Sequence, residues 1–237
     1  MNEIGKRIKK DENGSADMEQ YFTFEELNDL LETEYRKLNE EYFSPYTPRA
    51  KKVINSWLLT ETGVTGFEFI LTGEANINSD IPDIDIPFTM AHELAHTKGI
   101  MREDDCNLLA TYICLKSDND FIKYSGLFRS FSHILNMVYY TRSYTDYCEF
   151  YKTIPTEMLV EEDNYFAYWG KKSFLDKVQD WINDIYLKFN GNQNGIESYK
   201  DPSTNTDTGE KYDDGSPIYH VDFSKTQKLL IELCYAK

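Results

Sequence analysis

The sequence predicts a mainly helical protein with a small β element, which places it in the α+β class. Most of the chain shows apolar residues at helical spacing, often with a capping residue in front, and only one short stretch is rich in β-formers. With 41% hydrophobic and 15% aromatic residues, the chain can build a core. We expect one domain over residues 21–237, after a charged segment at 1–20 that we expect to be a disordered tail.

The first helix is predicted from "TFEELNDLLETEYRKLNEEYF", which begins at Thr23. Thr23 and Glu26 have the spacing of a capping box, and leucines and aromatic residues recur every three or four positions behind them. The prolines of "SPYTP" end the helix. Farther on, "GFEFILTG" (66–73) is rich in β-formers and bounded by glycines, so it predicts a strand.

The rest of the chain is predicted to be mostly helical, with breaks at turn-forming residues. Residues 200–221 are rich in turn formers and charges, and predict either a mobile loop or a hairpin inserted in the domain. Helices are expected at 87–98, 102–115, from the end of "SDND" (117–120) through "YSGLFRSFSHILNMVYY", at 143–152, 155–168 and 173–189, and in the closing "DFSKTQKLLIELCYA".

Charge and composition exclude several classes of function. The formal net charge is -16, which disfavours nucleic acid as a partner because the phosphate backbone would be repelled. No apolar run reaches the roughly 18 residues that a membrane span needs. The four cysteines form no CxxC pair, and their apolar neighbours indicate buried thiols. We expect a monomer.

The sequence "HELAH" carries the chemistry. His92 and His96 are four residues apart, so on a helix both imidazoles can reach one metal ion from the same face. Glu93 then lies beside the metal without binding it, where a carboxylate can take a proton from an activated water and later give it to a leaving amine. This pattern predicts one Zn²⁺ ion as the cofactor.

A third ligand must follow, because catalytic zinc usually has three protein ligands and one open position. One class of zinc proteases uses HExxHxxGxxH; here Gly99 fits, but Arg102 stands where the third histidine would be. A second class takes a glutamate from the next helix. We therefore predict Glu103 as the ligand and Asn107, one helical turn on, as a hydrogen-bond partner of a ligand histidine.

Two neighbouring acids, Asp104 and Asp105, are the rivals for the third ligand. Asp105 points about 200° away from Glu103 on a helix, so both cannot face the metal. Acidic residues in a first helical turn also interact favourably with the helix dipole, and this interpretation suits Asp104 and Asp105 well.

Supporting residues are less well defined. The strand Phe67, Glu68, Phe69, Ile70 and Leu71 could pair with a substrate backbone or could be purely structural. A zinc hydrolase also benefits from a hydrogen-bond donor to the oxyanion, for which Tyr124, Tyr219 and His220 are candidates.

Residues 65–117 resemble the core of the DUF3810 family, a group of predicted bacterial zinc metallopeptidases, and "KYSGL" (123–127) and "INDIYLKFNGNQNGIESY" (182–199) also resemble family stretches. Asp105 and Cys106 depart from the usual Glu and Ala, and residues 200–221 look inserted. The residues that match the family pattern are Gly73, Glu74, Asn76, Asn78, Pro87, His92, Glu93, His96, Gly99, Arg102, Glu103, Asp104 and Asn107.

The resemblance implies a bacterial enzyme anchored in a membrane, with its domain outside the cytoplasm. This chain has no spanning segment, so we expect a soluble version. The sequence predicts a zincin-like domain of the gluzincin type, in which the HExxH helix is followed by a ligand-bearing helix. The expected function is a zinc-dependent metallopeptidase that hydrolyses peptide bonds of a peptide or protein substrate. The alternatives are a catalytically silent zinc-binding sensor and a zinc amidase acting on cell-wall peptides.

Overall fold

The computed structural model describes residues 2–38, 41, 43–170 and 204–235. In these residues the protein is rich in helices with two small sheets, which confirms the α+β class. None of the helices in this part of the chain is both long and apolar enough to cross a bilayer. The helices are α1 (Asn2–Gly5), α2 (Phe24–Arg36), α3 (Ser56–Glu61), α4 (Ile86–His96), α5 (Glu103–Lys116), α6 (Asp120–Thr141), α7 (Tyr144–Lys152), α8 (Thr156–Gly170) and α9 (Lys225–Tyr235).

The predicted helices correspond to α2 and α4–α9, with ends that differ by a few residues. The Thr23 hydroxyl accepts a hydrogen bond from the Glu26 N–H, and the Glu26 carboxylate accepts one from the Thr23 N–H, so the capping box is present. Helix α3 is an addition to the prediction. The helix predicted at 173–189 lies outside the described residues.

The first sheet has the order β1 (Lys51–Lys52), β3 (Glu74–Ile77), β2 (Gly66–Phe69). Strand β3 is central: it pairs in parallel with β1 and antiparallel with β2, in a register from Gly66 opposite Ile77 to Phe69 opposite Glu74. Strand β2 is therefore an edge strand within the described part of the chain. The second sheet is a hairpin of β4 (Thr204–Lys211) and β5 (Pro217–Asp222), which agrees with the hairpin alternative over the described residues of that segment.

The predicted strand was too long at its C-terminal end. It includes Phe67, Glu68 and Phe69, but Ile70 and Leu71 lie in the turn between β2 and β3. The N–H groups of Thr72 and Gly73 donate to the Phe69 carbonyl, and Gly73 has a φ of +64°, which reverses the chain.

Helix α4 lies at the centre of the fold and packs against α5, α6, β2 and β3. Met90, Ala91, Leu94 and Ala95 are at most 1% exposed, so the apolar residues of this helix are buried. The Tyr35 hydroxyl of α2 donates to the Ala91 carbonyl and ties the first long helix to α4. Cys106 and Cys114 of α5 are buried free thiols, as expected, whereas the free thiol Cys148 of α7 is only half-buried.

Residues 1–20 were expected to form a disordered tail, but residues 2–20 have a defined structure. This segment carries α1 and a short 3-10 helix, and it places Ile8, Ala16 and Met18 in the core. The Ala16 N–H donates to the buried carboxylate of Glu161 in α8, which also pairs with Lys10. A few apolar anchors and one buried charge pair are enough to order a segment whose composition is mostly polar.

Candidate metal centre

Three side chains from two helices converge at the C-terminal end of α4. His92 and His96 project from α4, and Glu103 is the first residue of α5. The Nε2 atoms of the two histidines lie 3.2 Å apart. The Glu103 carboxylate places Oε2 at 3.1 Å from His92 Nε2 and Oε1 at 3.6 Å from His96 Nε2. These residues form a group that could hold a metal ion.

The turn between the two helices brings Glu103 back to the histidines. Helix α4 ends at His96, and Gly99, with a φ of +84°, donates its N–H to the His96 carbonyl. Glycine adopts this left-handed conformation without steric cost, which is why helices often end in this way. The chain then reverses, so the first turn of α5 lies beside the last turn of α4.

The outer nitrogen of each histidine has an acceptor of its own. His92 Nδ1 lies 2.9 Å from Asn107 Oδ1, and His96 Nδ1 lies 2.9 Å from the carbonyl oxygen of Ile100. A carbonyl can only accept, so His96 donates through Nδ1. Both imidazoles can thus take the tautomer whose Nε2 lone pair points to the centre of the group. This arrangement is the usual one for metal-binding histidines.

The spacing of the donor atoms fits a tetrahedral ion. Ligand atoms that are each about 2.0–2.2 Å from a tetrahedral zinc lie roughly 3.3 Å from one another. The two Nε2 atoms lie 3.2 Å apart, and each lies near that distance from one oxygen of Glu103, His92 at 3.1 Å from Oε2 and His96 at 3.6 Å from Oε1. These atoms need a proton or a metal cation between them, and two imidazoles with one carboxylate are a donor set that suits a divalent metal.

Glu93 lies beside the group and is 5% exposed. Its Oε2 atom is buried and has no hydrogen-bond partner among the described residues. Burial raises the pKa of Glu93 to about 7; the carboxylates of Glu103 and Glu68 act in the same direction, and the two histidines oppose them. The side chain is therefore held as a poorly solvated base next to the converging donors.

The electrostatics of the ligand candidates show how closely they are coupled. Burial alone would raise the pKa of Glu103, but hydrogen bonds with His92 and His96 outweigh it and lower the pKa to about 2. Burial alone would lower the pKa of His96, but hydrogen bonds with Cys106 and Glu103 outweigh it and raise the pKa. Glu103 is therefore held in its ionised form, which is the form that binds a metal cation.

The rival ligands point elsewhere. Asp104 accepts hydrogen bonds from Arg102 at 3.0 and 3.1 Å, and Asp105 pairs with Lys225 at the start of α9. Lys225 also lies 3.4 Å from Asp104. These two acids therefore attach α9 to the first turn of α5, and Glu103 is the acid that faces the histidines.

The three candidate oxyanion donors have contacts in other parts of the molecule. The Tyr124 hydroxyl is buried and accepts a hydrogen bond from Lys10 at 3.3 Å. The ring of Tyr219 in β5 packs against Tyr140, with centroids 5.0 Å apart. His220 is exposed and pairs with Thr206 of the hairpin. None of these contacts brings a donor to the histidine–carboxylate group.

Two neighbours of the group were not identified from the sequence. A Cβ atom on Gly66 of β2 would lie 2.9 Å from Glu93 Cγ and 3.0 Å from Glu93 Oε1, so the strand backbone passes directly over Glu93. Cys106 Sγ lies 3.3 Å from His96 Nδ1 and 3.3 Å from the Ile100 carbonyl. The approach of Gly66 to Glu93 had one signal in the sequence: a glycine inside a strand often marks a place where another part of the protein comes close to the backbone.

The fold and the group together define a helix-rich α+β protein with a candidate metal centre built from an HExxH helix and the helix that follows it. Comparison with protein families identifies the chain further: the family "Protein of unknown function (DUF3810)" matches residues 1–202, so the chain belongs to this family. Searches of curated proteins and of solved structures returned no match.

Proposed function

We propose that this protein is a zinc-dependent metallopeptidase of the gluzincin type with a zincin-like site. His92, His96 and Glu103 hold one Zn²⁺ ion, and Glu93 is the general base. The observation that carries the proposal is the convergence of two Nε2 atoms and the Glu103 carboxylate, with both Nδ1 atoms of the histidines already engaged. Zinc, when bound, polarises a substrate carbonyl and lowers the pKa of a neighbouring water.

The residues of the chain then have separate tasks. Asn107 and the Ile100 carbonyl hold the rings of His92 and His96 in the binding orientation. Glu93 Oε2, which has no partner among the described residues, takes the proton of the attacking water and returns it to the leaving amine. Its raised pKa, near 7, is matched to a group that must both accept and donate a proton near neutrality.

The same carboxylate argues against a silent zinc sensor. A buried acceptor without a partner costs roughly 1–3 kcal/mol, and more when it is charged. A structural zinc site gains nothing from such a group, whereas a hydrolase needs it at this position. A zinc amidase that acts on cell-wall peptides uses the same chemistry and is a second form of the proposal. The resemblance to the family extends the proposal to a bacterial, membrane-anchored setting.

The test measures metal content and cleavage on the purified chain. We expect about one zinc per chain in the wild type and in Glu93→Gln, and loss of zinc in Glu103→Ala. Asp105→Ala is the matched control, because it removes a neighbouring acid of the same helical turn and should keep its zinc. Peptide libraries and cell-wall peptides are then offered to wild type and to Glu93→Gln.

Cleavage by wild type that Glu93→Gln abolishes supports the hydrolase, and the bond cut separates peptidase from amidase. Zinc in both proteins without cleavage of any substrate would favour the sensor. Zinc retained in Glu103→Ala but lost in Asp105→Ala would refute the ligand assignment.

A further inference from the structure

Cys106 is a buried neighbour of His96 that the proposed function does not use. Its side chain is fully buried, and its Sγ atom lies 3.3 Å from His96 Nδ1 and 3.3 Å from the carbonyl oxygen of Ile100. The same carbonyl oxygen lies 2.9 Å from His96 Nδ1. The thiol, the carbonyl and the imidazole N–H therefore form a closed triangle on the side of His96 that faces away from the candidate metal centre.

The carbonyl oxygen determines the hydrogen-bond roles in this triangle. It can only accept, so the Nδ1–H of His96 and the S–H of Cys106 both donate to it, each to one of its two lone pairs. A thiol is protonated near neutrality, and burial raises the pKa of this one further. The sulfur is also a weak acceptor, so it can share the Nδ1–H with the carbonyl. His96 is thus held from two directions.

The spacing along α5 explains why the thiol reaches this position. Cys106 and Asn107 follow Glu103 by three and four residues, so all three lie on one face of the helix. Glu103 meets the Nε2 atoms of both histidines. Asn107 Oδ1 lies 2.9 Å from His92 Nδ1, on the outer side of that ring. Cys106 has the matching place at His96. One helical face therefore supplies the carboxylate and an outer contact for each histidine.

We propose that Cys106 is a positioning residue that holds His96 in the orientation that binds the metal ion, and so sets the affinity of the site for zinc. The inference rests on the proposed function, because it concerns a ligand of the same site. The carbonyl alone lets the ring tilt about the line from Nδ1 to the oxygen, and the sulfur beside that line restricts the tilt. Outer contacts of ligand histidines change metal affinity by about 10–100-fold, and the remaining carbonyl places Cys106 at the lower end.

The first test measures zinc affinity by chelator competition on the full-length chain. Cys106→Ala should weaken zinc binding about tenfold, because only the Ile100 carbonyl then holds the ring. Cys106→Ser keeps a donor and an acceptor at this position, so its affinity should return to within about threefold of that of wild type.

Cys114→Ala is the matched control. Cys114 is a fully buried thiol of the same helix, about two turns further on, and it packs against Gly126 of α6. Both alanine variants leave a cavity of one sulfur atom, so both should lower the stability of the metal-free protein by similar amounts. Only Cys106→Ala should also lose zinc affinity.

The second test is the visible spectrum of the Co²⁺-loaded protein, which separates positioning from packing. The absorption bands of Co²⁺ depend on the geometry of its ligands, so a tilted imidazole should shift them in Cys106→Ala. Cys114→Ala and Cys106→Ser should keep the wild-type spectrum.

Equal zinc affinity and equal Co²⁺ spectra in wild type and Cys106→Ala would overturn the role of Cys106 and leave the proposed function standing. So would an equal loss of affinity in Cys106→Ala and Cys114→Ala, or a Cys106→Ser variant as weak as Cys106→Ala. Wild type that binds zinc and cleaves no peptide would overturn the peptidase proposal, while the affinities and spectra would still decide the role of Cys106. Wild type that binds no zinc would overturn both.

Discussion

Gly66→Ala is the most informative single change near the site, because it adds one methyl group against the general base. The new Cβ would lie 2.9 Å from Glu93 Cγ, 3.0 Å from Glu93 Oε1 and 3.0 Å from Thr89 Cγ2. Ordinary contacts of this kind begin near 3.4 Å, so Glu93 or the strand must move by about half an ångström. Gly66 has an ordinary strand conformation, so the effect comes from the contact and not from backbone strain.

The size of the effect follows from the packing. Overfilling a closely packed site costs typically 1–3 kcal/mol in the free energy of unfolding. A reacting group displaced by about 1 Å loses roughly 100-fold in rate, so a shift of half that size should lower kcat by at least tenfold. Zinc affinity should change less than threefold, because none of the three contacted atoms belongs to His92, His96 or Glu103.

The assay measures kcat and KM on a cleaved peptide, the zinc dissociation constant by chelator competition, and unfolding in urea. Gly170→Ala is the control: a Cβ there meets no atom of the described residues within 4 Å, so kcat, KM and the zinc dissociation constant should match wild type and stability should not fall. Full activity in Gly66→Ala would refute the close approach of β2 to Glu93. Loss of zinc binding with unchanged stability would show that the strand supports the ligands and not the base.

Four further changes test other parts of the structure. Asn107→Ala removes the partner of His92 Nδ1 and should weaken zinc binding by about 10–100-fold in chelator competition; unchanged affinity would refute the orienting role. Zinc at 1,000 times its dissociation constant should stabilise wild type by about 4 kcal/mol against urea, and His92→Ala should abolish this dependence. Thr23→Ala removes the cap of α2 and should cost about 1 kcal/mol in the free energy of unfolding, whereas a change within 0.3 kcal/mol would contradict the capping box. Gly126→Ala places a Cβ 2.5 Å from Cys114 Cβ between α5 and α6 and should cost roughly 1–3 kcal/mol, against no loss in Gly170→Ala.

The sequence was most informative where the determining interactions are local. The capping box at Thr23, the helix that carries His92 and His96, and its end near Gly99 all depend on residues within a few positions of each other. The interpretation of Glu103 and Asn107 combined the pattern of a class of zinc proteases, which takes a glutamate from the next helix, with helical geometry that puts both residues on one face of α5. The structure places both beside His92, at 3.1 and 2.9 Å.

The sequence was least informative where distant segments meet. The defined structure of residues 2–20 depends on contacts with α8, such as that of Ala16 with Glu161. The partners in these contacts are more than 140 positions apart along the chain. The length of β2 is set by the turn at Gly73, and its position over Glu93 is set by packing between the sheet and α4. No periodicity in a single sequence reports such a contact. Gly66 was visible only as a glycine in a strand.

Gly99 accounts for the geometry of the whole candidate centre. Its left-handed φ reverses the chain three residues after His96, the last residue of α4, and the next carbonyl, that of Ile100, lies at His96 Nδ1. The same reversal starts α5 at Glu103, so one turn provides both the acceptor that orients a histidine and the carboxylate that completes the group. A residue with a Cβ at position 99 would be strained in the left-handed region by roughly 1–2 kcal/mol, and relief of that strain would move the acceptor and the carboxylate together. The spacing from His96 through Gly99 to Glu103 is therefore a geometric requirement of this site, and HExxH supplies only its first half.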